Sequence, residues 1–315
     1  MPRKLFFAAA VIVCAALQYI PVRAAARTVE MTWMSISSWY FRIGDTRIVM
    51  DGYVSRVPQS LFLSPPEYPK DVYGYTREAY GIDIPSIQRV RNAILADSKL
   101  NYLIVGHSHF DHSWDTPTCA KLTEATMIGG TSTCFQARAQ NVSKDQCRIA
   151  KGGEKLELGD GVSLRVVRFN HSGDASNPIQ HFARELYRPP VPDSSTGGFR
   201  AGVGEDYPNG GGSLGFLFTV DATPGQLAFF VQSSASAFDF DKDIIVDSVN
   251  YGSPSHNLTA AMADAGFMFG LAPVAWMSQS GSFLFCIPRS ICPITGMDPS
   301  THFGKACRCP SEMMP

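Results

Sequence analysis

Between Gly106 and Asp115 the chain reads GHSHFDHSWD, which puts three of its seven histidines and an aspartate within six positions. The pattern is H-x-H-x-D-H, with His107, His109, Asp111 and His112. Neutral imidazole nitrogen and carboxylate oxygen suit zinc, and also iron, manganese and other divalent ions. Two histidines one residue apart at a strand end can close on one ion, while Asp111 and His112 offer ligands to a second ion a few ångströms away. A two-metal site of this kind lowers the pKa of a bridging water toward about 7, polarises a carbonyl or phosphoryl oxygen and clamps developing charge. A histidine-rich polar loop with no such role is a poor alternative, because four ligand types stand in order between a buried strand and a loop.

The neighbouring elements give that motif its place. The segment DIPSIQRVRNAILADSKL carries Ile84, Ile87, Val90, Ile94 and Leu95 at helical spacing behind a first-turn proline, which predicts an amphipathic helix. The strand NYLIV follows and ends at Gly106. Ligands in such α/β layers gather beyond the carboxyl ends of strands, where the histidines stand. Upstream, Ser38 to Ile43 and Arg47 to Asp51 predict a hairpin turning at Gly44 and Asp45. Downstream, ATMIGGTSTCFQARA predicts strand, turn and helix start, VSLRVVRFNH a strand ending at His171, and LGFLFTVDATPGQLAFFVQ a hairpin. DIIVDSV predicts a buried strand, LTAAMADAG a short helix and APVAWMS a further strand. Residues 57–80 read as a surface excursion, and the Gly/Pro-rich residues 189–213 as a lid or flap.

On these motifs the chain resembles the metallo-β-lactamase superfamily over most of residues 30–283. The resemblance implies an α/β fold, the αββα sandwich of metal-dependent hydrolases, with one or two zinc or other divalent ions. Asp51 and Gly52 match the aspartate and glycine that close the family's first hairpin. By the likeness His107, His109 and His171 hold the first metal, and Asp111 and His112 the second. Asp111 also takes the catalytic role of orienting metal-bound hydroxide and relaying its proton. Two departures stand out. Gln232 and Ser233 occupy the place of the usual bridging aspartate, as a serine does in the third subclass of true metallo-β-lactamases. Gln279 stands where the family's last histidine closes a late strand, unless His256 replaces it. His181 and His302 read as surface or structural residues.

The remaining features frame the function. MPRK, an apolar run of about 16 residues and an A-x-A site at Ala24 to Ala26 predict a cleaved signal peptide over residues 1–26 and a periplasmic or secreted protein without a stable membrane anchor. A metallo-β-lactamase-like domain over 27–283 would then precede a cysteine-rich tail, 284–315. Cleavage leaves Cys119, Cys134, Cys147, Cys286, Cys292, Cys307 and Cys309, which would tend to form disulfides, with an odd thiol left over. No C-x-x-C lies beside a βαβ pattern, so a redox role ranks last. At 45% hydrophobic content the 315 residues have ample core material, and a net charge of −1 leaves no electrostatic footprint for nucleic acid. The expected partner is a small-molecule substrate: a lactam, lactone, ester or phosphodiester. The rival reading is a binding protein on a degenerate, non-catalytic version of the same fold.

Overall fold

The computed structural model describes residues 28–56, 79–171, 184–200, 206–222, 225–234, 240–267 and 283–288. In chain order its elements are β1 (Val29–Ser35), β2 (Ser38–Ile43), β3 (Thr46–Met50), β4 (Ala79–Tyr80), α1 (Ile84–Leu95), β5 (Tyr102–Ile104), α2 (Phe110–Ser113), α3 (Thr116–Thr123), β6 (Thr126–Gly129), α4 (Thr131–Ala139), β7 (Cys147–Ile149), β8 (Lys155–Gly159), β9 (Val162–Phe169), β10 (Phe199–Arg200), β11 (Ser213–Ala222), β12 (Gly225–Gln232), β13 (Ile245–Val246), β14 (Val249–Asn250), α5 (Pro254–Asp264) and β15 (Phe283–Pro288). One sheet has the order β1-β2-β3-β5-β6-β7, the other β15-β12-β11-β9-β8. In the first, β1, β2 and β3 form an antiparallel meander and β3, β5, β6 and β7 run parallel. The second sheet is antiparallel throughout.

Strand alternation explains the layering, because successive side chains leave a strand on opposite faces. Ile48 and Met50 of β3 point into the core between the sheets with Phe216 and Phe218 of β11, while Val49 points outward beneath the helices with Leu95, Leu103, Met127 and Ala137. In β9, Leu164 and Val166 enter the inter-sheet core, and Val167 and Phe169 face Met262 and Ala265 at the α5 end. Every residue of β9 is buried because both faces are covered. The result is four layers, helix, sheet, sheet, helix: the αββα sandwich.

The hairpin β2–β3, the helix α1 and the strands β5, β9, β11 and β12 fall where the sequence puts them. Asp83 caps α1 by accepting the Ser86 N–H at 3.0 Å, and proline stands in the first turn. DIIVDSV departs from expectation. Instead of a buried strand it forms the two-residue pairing of β13 with β14, turning at Asp247 and Ser248 with φ of +48° and +68°. Ile245 and Val249 are exposed there while Ile244 and Val246 are buried, so the apolar run forms a tight turn with only one side packed. Nor is the second half of the expected lid a flap, for residues 206–213 are all buried. The strand β15 pairs along β12 from Phe283↔Gln232 to Pro288↔Leu227, so the expected boundary at residue 283 falls at the start of a strand. The expected signal peptide over residues 1–26, residues 57–78, APVAWMS with Gln279, His181, and the tail beyond 288 with His302 lie outside the described residues. Among the described residues no helix is long and apolar enough to cross a membrane. Cys134 and Cys147 form a disulfide that ties α4 to β7, and Cys119 is a free thiol.

Candidate metal centre

The parallel strands β3, β5 and β6 end at one rim of the sandwich, and the loops that leave them build the site. After β3, Asp51 and Gly52 take left-handed backbone angles, φ +59° and +83°. Glycine reaches that region freely and aspartate more readily than most residues. The fully buried Asp51 carboxylate then accepts the Gly106 N–H on Oδ1 at 2.8 Å and the Ser37 hydroxyl on Oδ2 at 2.9 Å. Gly106 must be glycine: a Cβ there would lie 1.9 Å from Ser233 Oγ, at the end of β12. This close approach, with the Leu214 N–H donating to the Gly106 carbonyl at 2.6 Å, joins the two sheets beneath the ligand loop.

The chain bends after His107 and reaches His109, the N-cap of α2, which brings the two imidazoles together. His107 Nε2 lies 3.2 Å from His109 Nδ1, and the His171 ring sits 4.8 Å from that of His107 and 4.6 Å from that of His109. One turn of α2 then brings His112 to the opposite side of His107, ring centroids 3.8 Å apart, with Asp111 Oδ2 at 3.3 Å from His112 Nε2. The ligand atoms form two overlapping groups, His107–His109–His171 and His107–Asp111–His112, each within 4.8 Å. All four histidines are buried, whereas the Asp111 side chain is one-third exposed.

The donor chemistry fits divalent cations. Burial, reinforced by His112, His171 and His109, pushes the His107 pKa well below its ordinary value. His107 is therefore neutral, the form that ligates. Burial opposes charge on His112 too, but Asp111 and Asp51 outweigh it and raise that imidazole to about 10. Burial likewise raises Asp111, yet His112 and His109 prevail and hold it below the usual carboxylate range. The Nδ1 of His112 is taken up by Asp51 Oδ2 and Ser37 Oγ, each at 2.8 Å, so its Nε2 is the nitrogen left to ligate. A carboxylate behind a histidine in this way fixes the ligating tautomer.

The αββα layering and the two ligand groups at its rim agree with what the resemblance of the sequence implies. No family model matches the chain. It is similar to a UPF0173 protein of Pyrococcus furiosus, 37% identical over 100 residues that cover 29% of this chain and 46% of that protein. It is also similar to a UPF0173 metal-dependent hydrolase of Pyrobaculum aerophilum, 20% identical over 149 residues, 47% of this chain and 53% of that one. The chain thus spans about half the length of the curated relatives it matches. Among solved structures, a metallo hydrolase from the hyperthermophilic archaeon Ignicoccus hospitalis is a distant likeness, 12% identical with a TM-score of 0.33 over 60% of this chain and 55% of that one.

All five ligands named from the superfamily pattern, His107, His109, Asp111, His112 and His171, come together at the rim. Ser233, in the place of the superfamily's bridging aspartate, stands beside the ligands with its Oγ 3.4 Å from His107 Nδ1. Gln232 is turned inward, donating to the Ser234 carbonyl at 2.9 Å. His256 does not take the late histidine's place: it lies exposed on α5 and outside both ligand groups. The Ser253 cap of α5 accepts its backbone N–H, which holds it on the outer helix layer. Sequence reasoning missed Ser37, which nothing in its local pattern marks. It also missed Asp115, fully buried, whose carboxylate accepts the Val54 and Ser55 N–H groups at 2.5 and 2.6 Å and pins the chain after β3. Burial raises the pKa of Asp115, and these bonds with that from the Ser55 hydroxyl oppose the rise.

Proposed function

We propose that the protein is an exported metal-dependent hydrolase that binds zinc or a similar divalent ion through His107, His109 and His171, with a second position at Asp111 and His112. The observation that carries the reading is the pair of overlapping ligand groups sharing His107. A divalent ion there supplies Lewis acidity and brings a water's pKa toward about 7. The chain's own part is positional. Asp51 and Ser37 hold the His112 ring, Gly106 and Ser233 set the height of His107 above the sheet ends, and Asp111, partly open to solvent, is placed to orient a nucleophilic water and take its proton. The lack of a carboxylate at Ser233 leaves the second position with fewer protein ligands, which favours a first site that binds more tightly than the second. Export rests on the leader-like residues 1–26, and the Cys134–Cys147 disulfide suits an oxidising compartment. The substrate is a small molecule with a lactam, lactone, ester or phosphodiester bond.

The test is elemental analysis of protein purified from the periplasm without chelator, followed by turnover assays on those four substrate classes. One to two equivalents of metal with metal-dependent turnover is the expected result. His109→Ala should lower metal content and abolish turnover while leaving the circular dichroism spectrum intact. Full turnover in that variant would refute the site, and metal-free protein without turnover would favour a non-catalytic binding protein.

A further inference from the structure

Beside His107, which forms part of its wall, lies a small, partly open cavity. Its walls come from the N-terminus of α4 (Ser132 and Thr133), from Arg168 near the end of β9 and from the loop at Asn209 and Gly210. The side chains of Thr133, Arg168 and Asn209 are 1%, 3% and 1% exposed, and Thr133 Oγ1, Arg168 Nε and Asn209 Nδ2 have no hydrogen-bond partner within the protein. Three buried polar atoms left unpaired around one cavity are costly, since each has given up its hydration without a replacement hydrogen bond. The cavity leaves about 10 Å³ to the centre of a water-sized particle, room for one small occupant.

The donor inventory selects the occupant. Asn209 Oδ1 already accepts the Gly211 and Gly212 N–H groups at 2.9 and 3.0 Å, which fixes the amide with its NH2 toward the cavity. Arg168 Nε can only donate. Ser132 Oγ accepts the Leu186 N–H at 2.7 Å, so its proton is free to turn inward. Gly130 caps α4 with no side-chain acceptor and no acidic residue stands in its first turn, so the helix offers uncapped N–H groups and the positive end of its dipole. Among the described residues no acidic side chain lines the space, and Glu185 and Glu154 act on Arg168 from outside the lining. Of the side chains with unpaired atoms, only the Thr133 hydroxyl can accept. A water needs acceptors for its two protons, whereas a monovalent anion needs donors alone. The glycines make this surround feasible: a Cβ at Gly210 would lie 2.6 Å from Ser108 Oγ, and one at Gly211 would lie 2.6 Å from an Arg168 nitrogen.

We propose that this cavity is a binding site for a small monovalent anion of halide size, which ties α4, β9 and the Asn209–Gly212 loop together beside the metal ligands. The site does not depend on any hydrolytic activity. Crystals of the full chain grown or soaked in sodium bromide should show an anomalous peak among Thr133, Arg168 and Asn209. At constant ionic strength, replacing gluconate with chloride at about ten times its Kd should raise Tm by roughly 3–6 °C. Thr133→Val, which keeps the shape and removes the hydroxyl, should weaken that chloride dependence about tenfold while the fold persists. Absence of bromide density in the cavity, or identical melting in chloride and gluconate, would overturn the proposal.

Discussion

Asp51→Asn isolates the positioning of His112 from the metal ligands themselves. The variant is isosteric, and its one carbonyl oxygen can still accept the Gly106 N–H that Oδ1 accepts now at 2.8 Å. Its NH2 must then face His112 Nδ1 and Ser37 Oγ, where Asp51 Oδ2 stands at 2.8 and 2.9 Å. A donor in that place favours the His112 tautomer with its proton on Nε2, so the nitrogen left for the metal is the protonated one. Losing such support behind a metal-bound histidine costs about 10–100-fold in affinity, or roughly 1.4–2.8 kcal/mol. The loss should fall on the second ion and spare the His107–His109–His171 site, because Asp51 bonds directly to neither His109 nor His171. Competition with a chromogenic chelator, fitted for two sites, reads both constants in one titration. A second-site affinity unchanged within about twofold would refute the tautomer argument. Equal losses at both sites would mean that Asp51 acts by holding up the whole loop through Gly106.

In metal-free protein the His112 pKa is raised to about 10, so binding at the second site must displace a proton. Affinity there should climb about tenfold per pH unit from pH 7 toward 10, read by the same chelator competition, and a flat profile would contradict it. The sign for stability is opposite: the contribution of this group to the metal-free fold is complete below its unfolded value of about 6.5 and fades as pH rises through about 10. Gly106→Ala drives a Cβ to 1.9 Å from Ser233 Oγ, which should destabilise by about 1–3 kcal/mol in urea melts. The double variant with Ser233→Gly should recover most of that loss. Replacing Cys134 and Cys147 by alanine opens a loop with a sequence separation of 13 and should cost about 3 kcal/mol in the same assay.

What could be read from the chain without its fold was whatever sits on a local period. Alternation marked β2, β3, β9, β11 and β12, helical spacing and a first-turn proline marked α1, the H-x-H-x-D-H motif marked four candidate metal ligands, and the family resemblance supplied the fifth, His171. DIIVDSV misled because an apolar run of that length does not reveal whether both its faces will be covered, and here Ile244 and Val246 are buried while Ile245 and Val249 are not. The support of the site was illegible for another reason: it is made of unremarkable residues brought from far along the chain. Ser37 reaches His112 across 75 positions and Ser233 reaches His107 across 126. Their roles exist only because three parallel strands end at the same rim and β12 ends beside them. The absent superfamily aspartate shows the same limit. From the chain alone Ser233 reads as a lost ligand, but in the fold its hydroxyl lies where a Cβ at Gly106 would stand, and the ligand loop seats against it. A larger carboxylate there would have to displace that loop or turn toward His107, so the choice of serine at 233 and glycine at 106 is a single packing decision. On the proposed reading the second metal position is accordingly built from Asp111 and His112, with Asp51 and Ser37 ordering the His112 ring from behind.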